Sequence, residues 1–378
     1  MGKSVFSFFA GAGLLDLGFE NEHYNVVFVN EFEQSFLDAY IYARQQRQIQ
    51  PHQPRYGFHC GDINQYLQKE ERDNLIRLIN RERAYINIVG FIGGPPCPDF
   101  SVAGKNKGRD GDNGALALSY VKLIIECQPD FFVFENVKGL VKTEKHRKFF
   151  NYLKKKLQKS GYATSNKVLN ALSYGVPQDR DRVIFVGFNK NAFSRIDNLI
   201  SANGRLLFPW ANNVVFNDLN DIKSQHWPEH QPFLPGHNRY CPRDLPQQYR
   251  ELAVETWFRK NSVTIHPNAN DVFRVKNGRN KITTIDEGDV SRKSFKRLHR
   301  WRYSPTAAYG NNEVHLHPYI PRRISISEAM AIQSLPTWFS LPPNMSLTHK
   351  FKVIGNGVPY LMSRAIAKTV FDVIDNIK

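Results

Sequence analysis

Short apolar runs alternate with amphipathic stretches over the first 190 residues of the chain. The runs at 4–9, 26–30 and 84–92 are rich in Val, Ile and Phe, which is typical of buried strands. Helical periodicity between such runs predicts an α/β fold in which helices cover both faces of a sheet. Further strands are expected at 56–60, 129–134, 167–172 and 183–188, and helices at 34–46, 115–127 and 147–160.

The alternation stops near residue 190. Residues 191–321 are rich in Asn, Pro, His and Arg and carry only short, irregular β-like runs, which indicates a second, smaller domain. A helix at 325–334 and an amphipathic helix at 360–377 follow. We therefore expect a large domain at 1–190, completed by 349–378, and a small domain at 191–348 with a variable region at 191–321.

Composition adds a charge bias to this picture. The 378 residues include 51 Lys and Arg against 35 Asp and Glu, a formal net charge of +16, which favours a polyanionic partner such as nucleic acid over a merely basic soluble protein. The four cysteines are scattered without a CxxC motif, which argues against a disulfide framework or a Cys-rich zinc site. No signal peptide or membrane span is recognised, so a cytoplasmic, nucleoid-associated protein is expected.

Polar residues follow the predicted strands at the sheet edge where α/β proteins bind ligands. A glycine turn, Ala10-Gly11-Ala12-Gly13, follows the first strand and opens a helix. The turn suits NAD, FAD or S-adenosylmethionine, or it is only a structural turn. Glu31 ends the second strand and suits a ribose diol, unless it is a helix N-terminal carboxylate. Asp62 follows the next strand and could accept a hydrogen bond from an adenine amino group.

A cysteine follows the sharpest break in the pattern. The segment Gly93-Gly94-Pro95-Pro96 ends the strand at 84–92, and Cys97 comes directly after it. A thiol in this position could ionise and act as a nucleophile, although an isolated Pro-Pro-Cys is more often structural. The Gly-rich, basic residues 102–113, with Lys105 and Arg109, predict a mobile loop beside it.

Two further groups carry candidate chemistry. Glu135 ends the strand at 129–134, where a carboxyl group could have a raised pKa and donate a proton, or could cap the next turn. Strand alternation places Gln178, Arg180 and Arg182 on one face, where two guanidinium groups can hold phosphates or a base carbonyl.

Taken in order, these blocks resemble the bacterial DNA cytosine-C5 methyltransferase family. The resemblance implies a Rossmann-like, S-adenosylmethionine-dependent mixed sheet with a smaller, irregular, β-rich target recognition domain at 191–321. The matching blocks are Phe9 to Gly13; Glu31; Asp62; Pro95-Pro96-Cys97 with Phe100-Ser101; Glu135-Asn136-Val137; Gln178-x-Arg180-x-Arg182; 323–336 with Glu328; and Gly355-Asn356.

The resemblance also implies roles for individual residues. Cys97 would attack C6 of a flipped-out cytosine, Glu135 would hold or protonate N3, and Arg180 would hold the O2 side, with Arg182 and Gln178 beside them. The implied S-adenosylmethionine contacts are Phe9, Ala10, Gly11, Gly13, Leu14, Glu31, Asp62, Ile63, Pro95, Leu116, Asn356 and Gly357. The candidate contacts to double-stranded DNA are Ser101, Lys105, Arg109, Arg297, Arg300, Thr306, Asn311 and Asn312.

Three positions depart from the family pattern. Pro98 stands where Gln is usual, Leu14 where a further Gly is usual, and Gly357 where Ala or Ser is frequent. The alternatives are a tRNA cytosine-C5 methyltransferase of the same family, an NAD-dependent oxidoreductase and an inactive DNA-binding module. The oxidoreductase hypothesis leaves Cys97 and Glu135 without a role. A separately acting restriction endonuclease is compatible with the family, and no metal is expected.

Overall fold

A computed structural model describes residues 2–47, 53–96, 112–202, 204–236, 245–274, 279–292, 294–306, 309 and 315–377. The strands are β1 (Lys3–Phe8), β2 (Tyr24–Glu31), β3 (Phe58–Cys60), β4 (Ile88–Gly93), β5 (Phe131–Val137), β6 (Tyr162–Asn170), β7 (Gln178–Asp179), β8 (Asp181–Asn189), β9 (Lys296–Arg297), β10 (Ser304–Pro305) and β11 (His315–Leu316). The helices are α1 (Leu14–Asn21), α2 (Gln34–Gln45), α3 (Lys69–Ile86), α4 (Asp112–Cys127), α5 (Gly139–Lys142), α6 (Glu144–Lys159), α7 (Leu219–Ser224), α8 (Val254–Lys260), α9 (Arg279–Thr284), α10 (Ile326–Ile332), α11 (Leu347–Asn356) and α12 (Tyr360–Ile377).

Seven of these described strands form one sheet, in the order β3-β2-β1-β4-β5-β8-β6. The pairs from β3 to β5 are parallel, whereas β8 is antiparallel to both β5 and β6. The carboxyl ends of β1, β2, β4 and β5 therefore share one edge, and β8 begins at that edge instead of ending there. The α/β fold with a mixed sheet is confirmed.

Apolar side chains fill both faces of the sheet, which explains why its strands are continuous hydrophobic runs. On one face Phe19 of α1 and Ile366 of α12 belong to the same cluster as the strand residue Val186. On the other face Leu75 of α3 and Phe150 of α6 cluster with further strand residues.

The helix α12 lies directly against α1. A Cβ atom added to Gly18 would lie 2.2 Å from Ser363 Oγ, so the backbones approach too closely for any side chain at residue 18. Ser363 Oγ donates a hydrogen bond to the Leu15 carbonyl, 2.6 Å away. The last helix thus covers the helix that follows the glycine turn.

The segment that follows β8 packs against the large sheet as far as Phe208. Phe193, Ile196 and Phe208 pack in the same cluster as Phe188 of β8. A further cluster spans both parts of the chain and brings Trp257 and Ile326 together with Leu17 of α1. The domain boundary at residue 190 stays a prediction.

The sequence pattern misplaced some element bounds. The strand predicted at 84–92 begins only at Ile88, because α3 continues through Ile86 and ends where Asn87 adopts a positive φ of 76°. The strand predicted at 167–172 spans Tyr162–Asn170 instead. The final helix at 360–377 is confirmed. Within the described residues, no helix combines the length and the apolar character needed to cross a membrane.

Candidate active site

The glycine turn after β1 has a tightly constrained backbone. Phe9, Gly11 and Gly13 all have positive φ angles, of 54°, 57° and 75°. Residue 13 must be glycine, because a Cβ atom there would lie 2.4 Å from the Tyr40 ring. The Gly13 amide closes the turn by donating to the Ala10 carbonyl at 2.8 Å.

A buried arginine supports this turn from below. Arg44 of α2 donates from Nη2 to the Gly13 carbonyl at 2.8 Å and from Nη1 to the Ala12 carbonyl at 3.4 Å. Its Nε lies 3.1 Å from Glu20 Oε1, so the charge is paired although the side chain is buried. Arg44 was not predicted from the sequence, where the only indication of its role is a cation among the apolar positions of α2.

Glu31 connects the end of β2 to the glycine turn. Its Oε2 accepts a hydrogen bond from the Gly11 amide at 2.7 Å, and its Oε1 accepts from the Phe32 and Glu33 amides at 2.9 and 3.0 Å. Burial raises the pKa of Glu31, and these backbone hydrogen bonds offset part of that rise. Phe32, which was not predicted from the sequence, follows this carboxylate and is 69% exposed, and an exposed aromatic ring can stack on a planar ligand.

The other predicted cofactor residues differ in exposure. Asp62 is exposed and accepts from the Asn64 amide at 2.9 Å as the N-cap of a 3-10 helix, whereas Ile63 is buried. Phe9 and Leu116 are partly buried against the cluster that contains Ile63. Asn356 is exposed at the end of α11. Among the residues that the structure describes, no group of His, Cys, Asp or Glu side chains is placed to hold a metal ion.

The segment that leads to Cys97 passes directly over Glu135. A Cβ atom at Gly94 would lie 2.6 Å from Glu135 Oε2, so only glycine leaves room for the carboxylate there. The next residue of β5, Asn136, donates from Nδ2 to the Pro95 carbonyl at 3.1 Å. The end of β5 therefore holds the chain two residues before the predicted nucleophile.

Arg182 pairs with this carboxylate. Its Nε lies 2.8 Å from Glu135 Oε1, and both side chains are about nine-tenths buried. The pair forms because β8 runs antiparallel to β5, with Arg182 opposite Val137. Burial raises the pKa of Glu135, and the charges of Arg182 and Arg180 offset part of that rise. A carboxyl group of this kind can donate a proton to a ring nitrogen, with a guanidinium beside it.

The structure changes the role expected for Arg180. Its Nη2 donates to the carbonyls of Gly355 and Gly357, at 2.7 and 3.1 Å, and it is Arg182 that forms the ion pair with Glu135. The chain turns at Arg180, between β7 and β8, so strict alternation across residues 178–182 does not hold. Arg180 is thus bonded to the backbone before α12.

Gln178 is also anchored in the interior. Its Nε2 donates to the Ile332 carbonyl at 3.3 Å and to Gln333 Oε1 at 3.1 Å. Gln178 therefore connects β7 to the end of α10. These contacts hold its amide in the interior, and the catalytic role expected for Gln178 stays a prediction.

Two of the expected phosphate contacts are corrected by burial. Arg297 is fully buried and donates to the carbonyls of Ile285 at 2.8 Å, His317 at 2.6 Å and Ile282. Arg300 is buried as well, with its Nε 2.8 Å from Glu287 Oε1. The basic run at 292–302 suggested an exposed surface, but these two side chains stabilise the interior of the small domain.

Thr306 lies at the junction between the small domain and β7. Its Oγ1 donates to the Asp179 carbonyl at 2.6 Å, next to the pairing of β10 with β7. The side chain is partly exposed. The remaining expected residues, Cys97, Ser101, Lys105, Arg109, Asn311 and Asn312, lie outside the described residues.

Comparison with known proteins identifies the family of the chain. The profile of the family described as C-5 cytosine-specific DNA methylase matches residues 3–372. Type II methyltransferase M.NmeDI of Neisseria meningitidis serogroup C is 50% identical over 372 residues, covering 98% of this chain and 84% of that protein. Type II methyltransferase M.FnuDI of Fusobacterium nucleatum is 27% identical, covering 97% of this chain and 95% of that protein.

A solved structure supports the fold. It is that of a prophage-encoded DNA modification methyltransferase from E. coli, with a TM-score of 0.64 and 22% identity, covering 99% of this chain and 100% of that one. The family profile, which covers nearly the whole chain, and the mixed α/β sheet together define a methyltransferase of the α/β class. The chain belongs to the C-5 cytosine-specific DNA methylase family.

Proposed function

We propose that the protein transfers a methyl group from S-adenosylmethionine to C5 of a flipped-out cytosine within a specific double-stranded DNA sequence, through a covalent bond between Cys97 and C6. The observation that carries the proposal is the Gly94–Glu135–Arg182 arrangement. It brings a buried carboxyl group of raised pKa, its arginine partner and the segment before Cys97 to one point.

The chemistry requires these groups together. Cytosine C5 is a poor nucleophile, and addition of the Cys97 thiolate to C6 turns the ring into an enamine that can react at C5. Glu135 donates to N3 and so makes the addition easier. Because Arg182 forms the ion pair with Glu135, we assign the O2 side of the ring to Arg182 and no longer to Arg180. C5 would then bond to the methyl carbon of the donor as the bond between that carbon and sulfur breaks. Loss of the C5 proton to solvent and return of the N3 proton to Glu135 would release the thiolate and restore the aromatic ring.

The residues of the glycine turn fit S-adenosylmethionine. Positive φ angles at Gly11 and Gly13 let the backbone approach a ligand closely, and the Glu31 carboxylate lies beside the Gly11 amide, where a ribose could bind. Phe32 offers its exposed face to the adenine. When bound, S-adenosylmethionine supplies an electrophilic methyl group on sulfur. Because β1 pairs with β4, the methyl donor at the glycine turn and the cytosine near the Cys97 segment would be neighbours.

The DNA would lie between this edge and the small domain. A base in a duplex hides C6, so it must leave the stack, and the loop predicted at Gly104–Gly114 would close behind it. Thr306 remains a candidate phosphate contact, and Asn311 and Asn312 remain candidates for reading base edges in the major groove. A separate restriction endonuclease would recognise the same sequence.

Covalent trapping tests the proposal. DNA that contains 5-fluorocytosine should form a stable adduct with the protein and S-adenosylmethionine, because fluorine at C5 cannot leave as a proton does. Cys97→Ser should form no adduct while it still binds S-adenosylmethionine. An adduct with Cys97→Ser would refute the nucleophile, and transfer of label to tRNA but not to DNA would refute the substrate.

A further inference from the structure

Two of the three residues that depart from the family pattern, Leu14 and Gly357, lie against each other in the fold. A Cβ atom added to Gly357 would lie 2.3 Å from Leu14 Cδ2 and 3.1 Å from both Leu14 Cβ and Cγ. Even an alanine at residue 357 would therefore overlap Leu14. The side chain that Leu14 adds occupies the space that Gly357 leaves empty.

Neither partner has room to move away. Leu14 is 2% exposed and packs in the cluster that contains Ala12, Leu17 and Ile354. It is the first residue of α1, directly after Gly13. Gly13 is itself confined, since its position against the Tyr40 ring leaves no space for a Cβ atom.

The segment on the other side of the contact is held by side chains from two elements. Arg180 binds the carbonyls of Gly355 and Gly357, and Gln333 Nε2 donates to the Ile354 carbonyl at 2.6 Å and to the Gly357 carbonyl at 3.4 Å. Because the 355–357 backbone is fixed, a larger side chain at residue 357 would displace Leu14 and the glycine turn instead.

We propose that Leu14 and Gly357 are a pair of positioning residues whose combined size sets the geometry of the glycine turn and hence the affinity for S-adenosylmethionine. The inference rests on the proposed function, since it assumes that the turn binds S-adenosylmethionine. The same segment is bonded to Arg180, two residues from Arg182, so it connects the cofactor turn to the strand that carries the base-side arginine.

A double-mutant cycle tests the pair, with the dissociation constant of S-adenosylmethionine measured by calorimetry on the full chain. Gly357→Ala should weaken binding roughly tenfold, with unchanged affinity for DNA. Leu14→Ala removes Cγ and both Cδ atoms and leaves only Cβ at 3.1 Å, so Gly357→Ala should cost much less affinity in that variant than in the wild type. A smaller loss in the Leu14→Ala background is the signature of complementary size, which a general loss of stability would not produce.

Gly355→Ala is the matched control. A Cβ atom there would lie 3.2 Å from Tyr309 and has no contact with Leu14 within 4 Å among its three nearest atoms. Leu14→Ala should therefore fail to rescue Gly355→Ala. Gly355→Ala and Gly357→Ala each add one methyl group to the same segment. They differ in the side chain that this methyl group contacts, which is Tyr309 for the first and Leu14 for the second.

Each outcome decides the matter. Equal losses from Gly357→Ala in both backgrounds would overturn the pairing, and so would rescue of Gly355→Ala by Leu14→Ala. If Gly357→Ala alone does not fold, recovery of folding and binding in the double variant supports the pairing, and failure of the double variant overturns it. Wild-type protein that does not bind S-adenosylmethionine would refute the cofactor assignment instead, which is a separate result.

Discussion

Replacing Gly94 with alanine should move the Glu135 carboxylate without unfolding the protein. The new Cβ atom would lie 2.6 Å from Glu135 Oε2, whereas Cβ contacts below 3.0 Å essentially never occur and ordinary contact begins at 3.4 Å. The carboxylate must therefore retreat by about 0.4 to 0.8 Å, from the difference between these distances. Its Oε1 is held by Arg182 at 2.8 Å, so the retreat distorts that ion pair.

Activity and stability should respond differently to this shift. The clashing atom is the end of a flexible side chain, so we expect the free energy of unfolding to change by less than about 1 kcal/mol. A catalytic group is far less tolerant, because a misplacement of about 1 Å can cost roughly a hundredfold in rate. We expect Gly94→Ala to lower the single-turnover rate of methyl transfer by about 10- to 100-fold.

The assay is transfer of tritiated methyl groups to DNA under single-turnover conditions, with urea unfolding measured in parallel. Gly2→Ala is a suitable control, because its Cβ atom would lie 2.9 Å from Ile86 Cγ2 at the amino end of β1, away from the site. Gly2→Ala should keep the wild-type rate. A wild-type rate in Gly94→Ala, or a rate loss matched by an equal loss of stability, would refute the reasoning.

Two further predictions concern buried charges. Arg300→Ala should lower the free energy of unfolding by roughly 3–5 kcal/mol, because Glu287 loses its buried partner. The salt dependence of DNA binding should stay unchanged. A slope of log affinity against log salt concentration that falls by about one unit, without loss of stability, would show instead that Arg300 contacts a phosphate. Burial raises the pKa of Asp16 from 3.8 to about 6, so the folded protein keeps this proton to a higher pH than the unfolded chain, and its contribution to stability is lost as pH rises from about 4 to 6. Asp16→Asn should therefore gain about 3 kcal/mol relative to wild type between pH 4 and 7, measured by denaturant unfolding, whereas parallel pH profiles of the two proteins would contradict the shift.

The edge residues could be predicted because strand ends follow from local patterns. Glu31 and Glu135 come directly after apolar runs, and parallel strands bring such ends to one edge. Periodicity alone predicted most strands of the sheet, several of the helices on its faces and the bounds of α12, but it did not predict α3. The same patterns do not show that the first residues of the apolar run at 84–92 belong to α3 and not to β4. The boundary between the two elements depends on the positive φ angle at Asn87.

Partners distant in sequence could not be predicted. Arg180 and Arg182 are equivalent in a strand pattern, and only the turn between β7 and β8 sends one to the 355–357 carbonyls and the other to Glu135. Arg297 and Arg300 lie in a basic run, yet both are buried, Arg297 bonded to backbone carbonyl groups and Arg300 paired with Glu287. Charge in a sequence does not reveal which cations have internal partners.

The packing of α12 on α1 has a consequence for synthesis. The hydrogen bond from Ser363 to the Leu15 carbonyl joins residues 348 positions apart, and Lys3 pairs with Asp375 at 2.7 Å. At about 5–20 residues per second, a ribosome needs roughly 20 to 70 s to deliver the second partner after the first. The outer face of α1 stays uncovered during that time, so the nascent chain would be a client for chaperones until its last helix emerges.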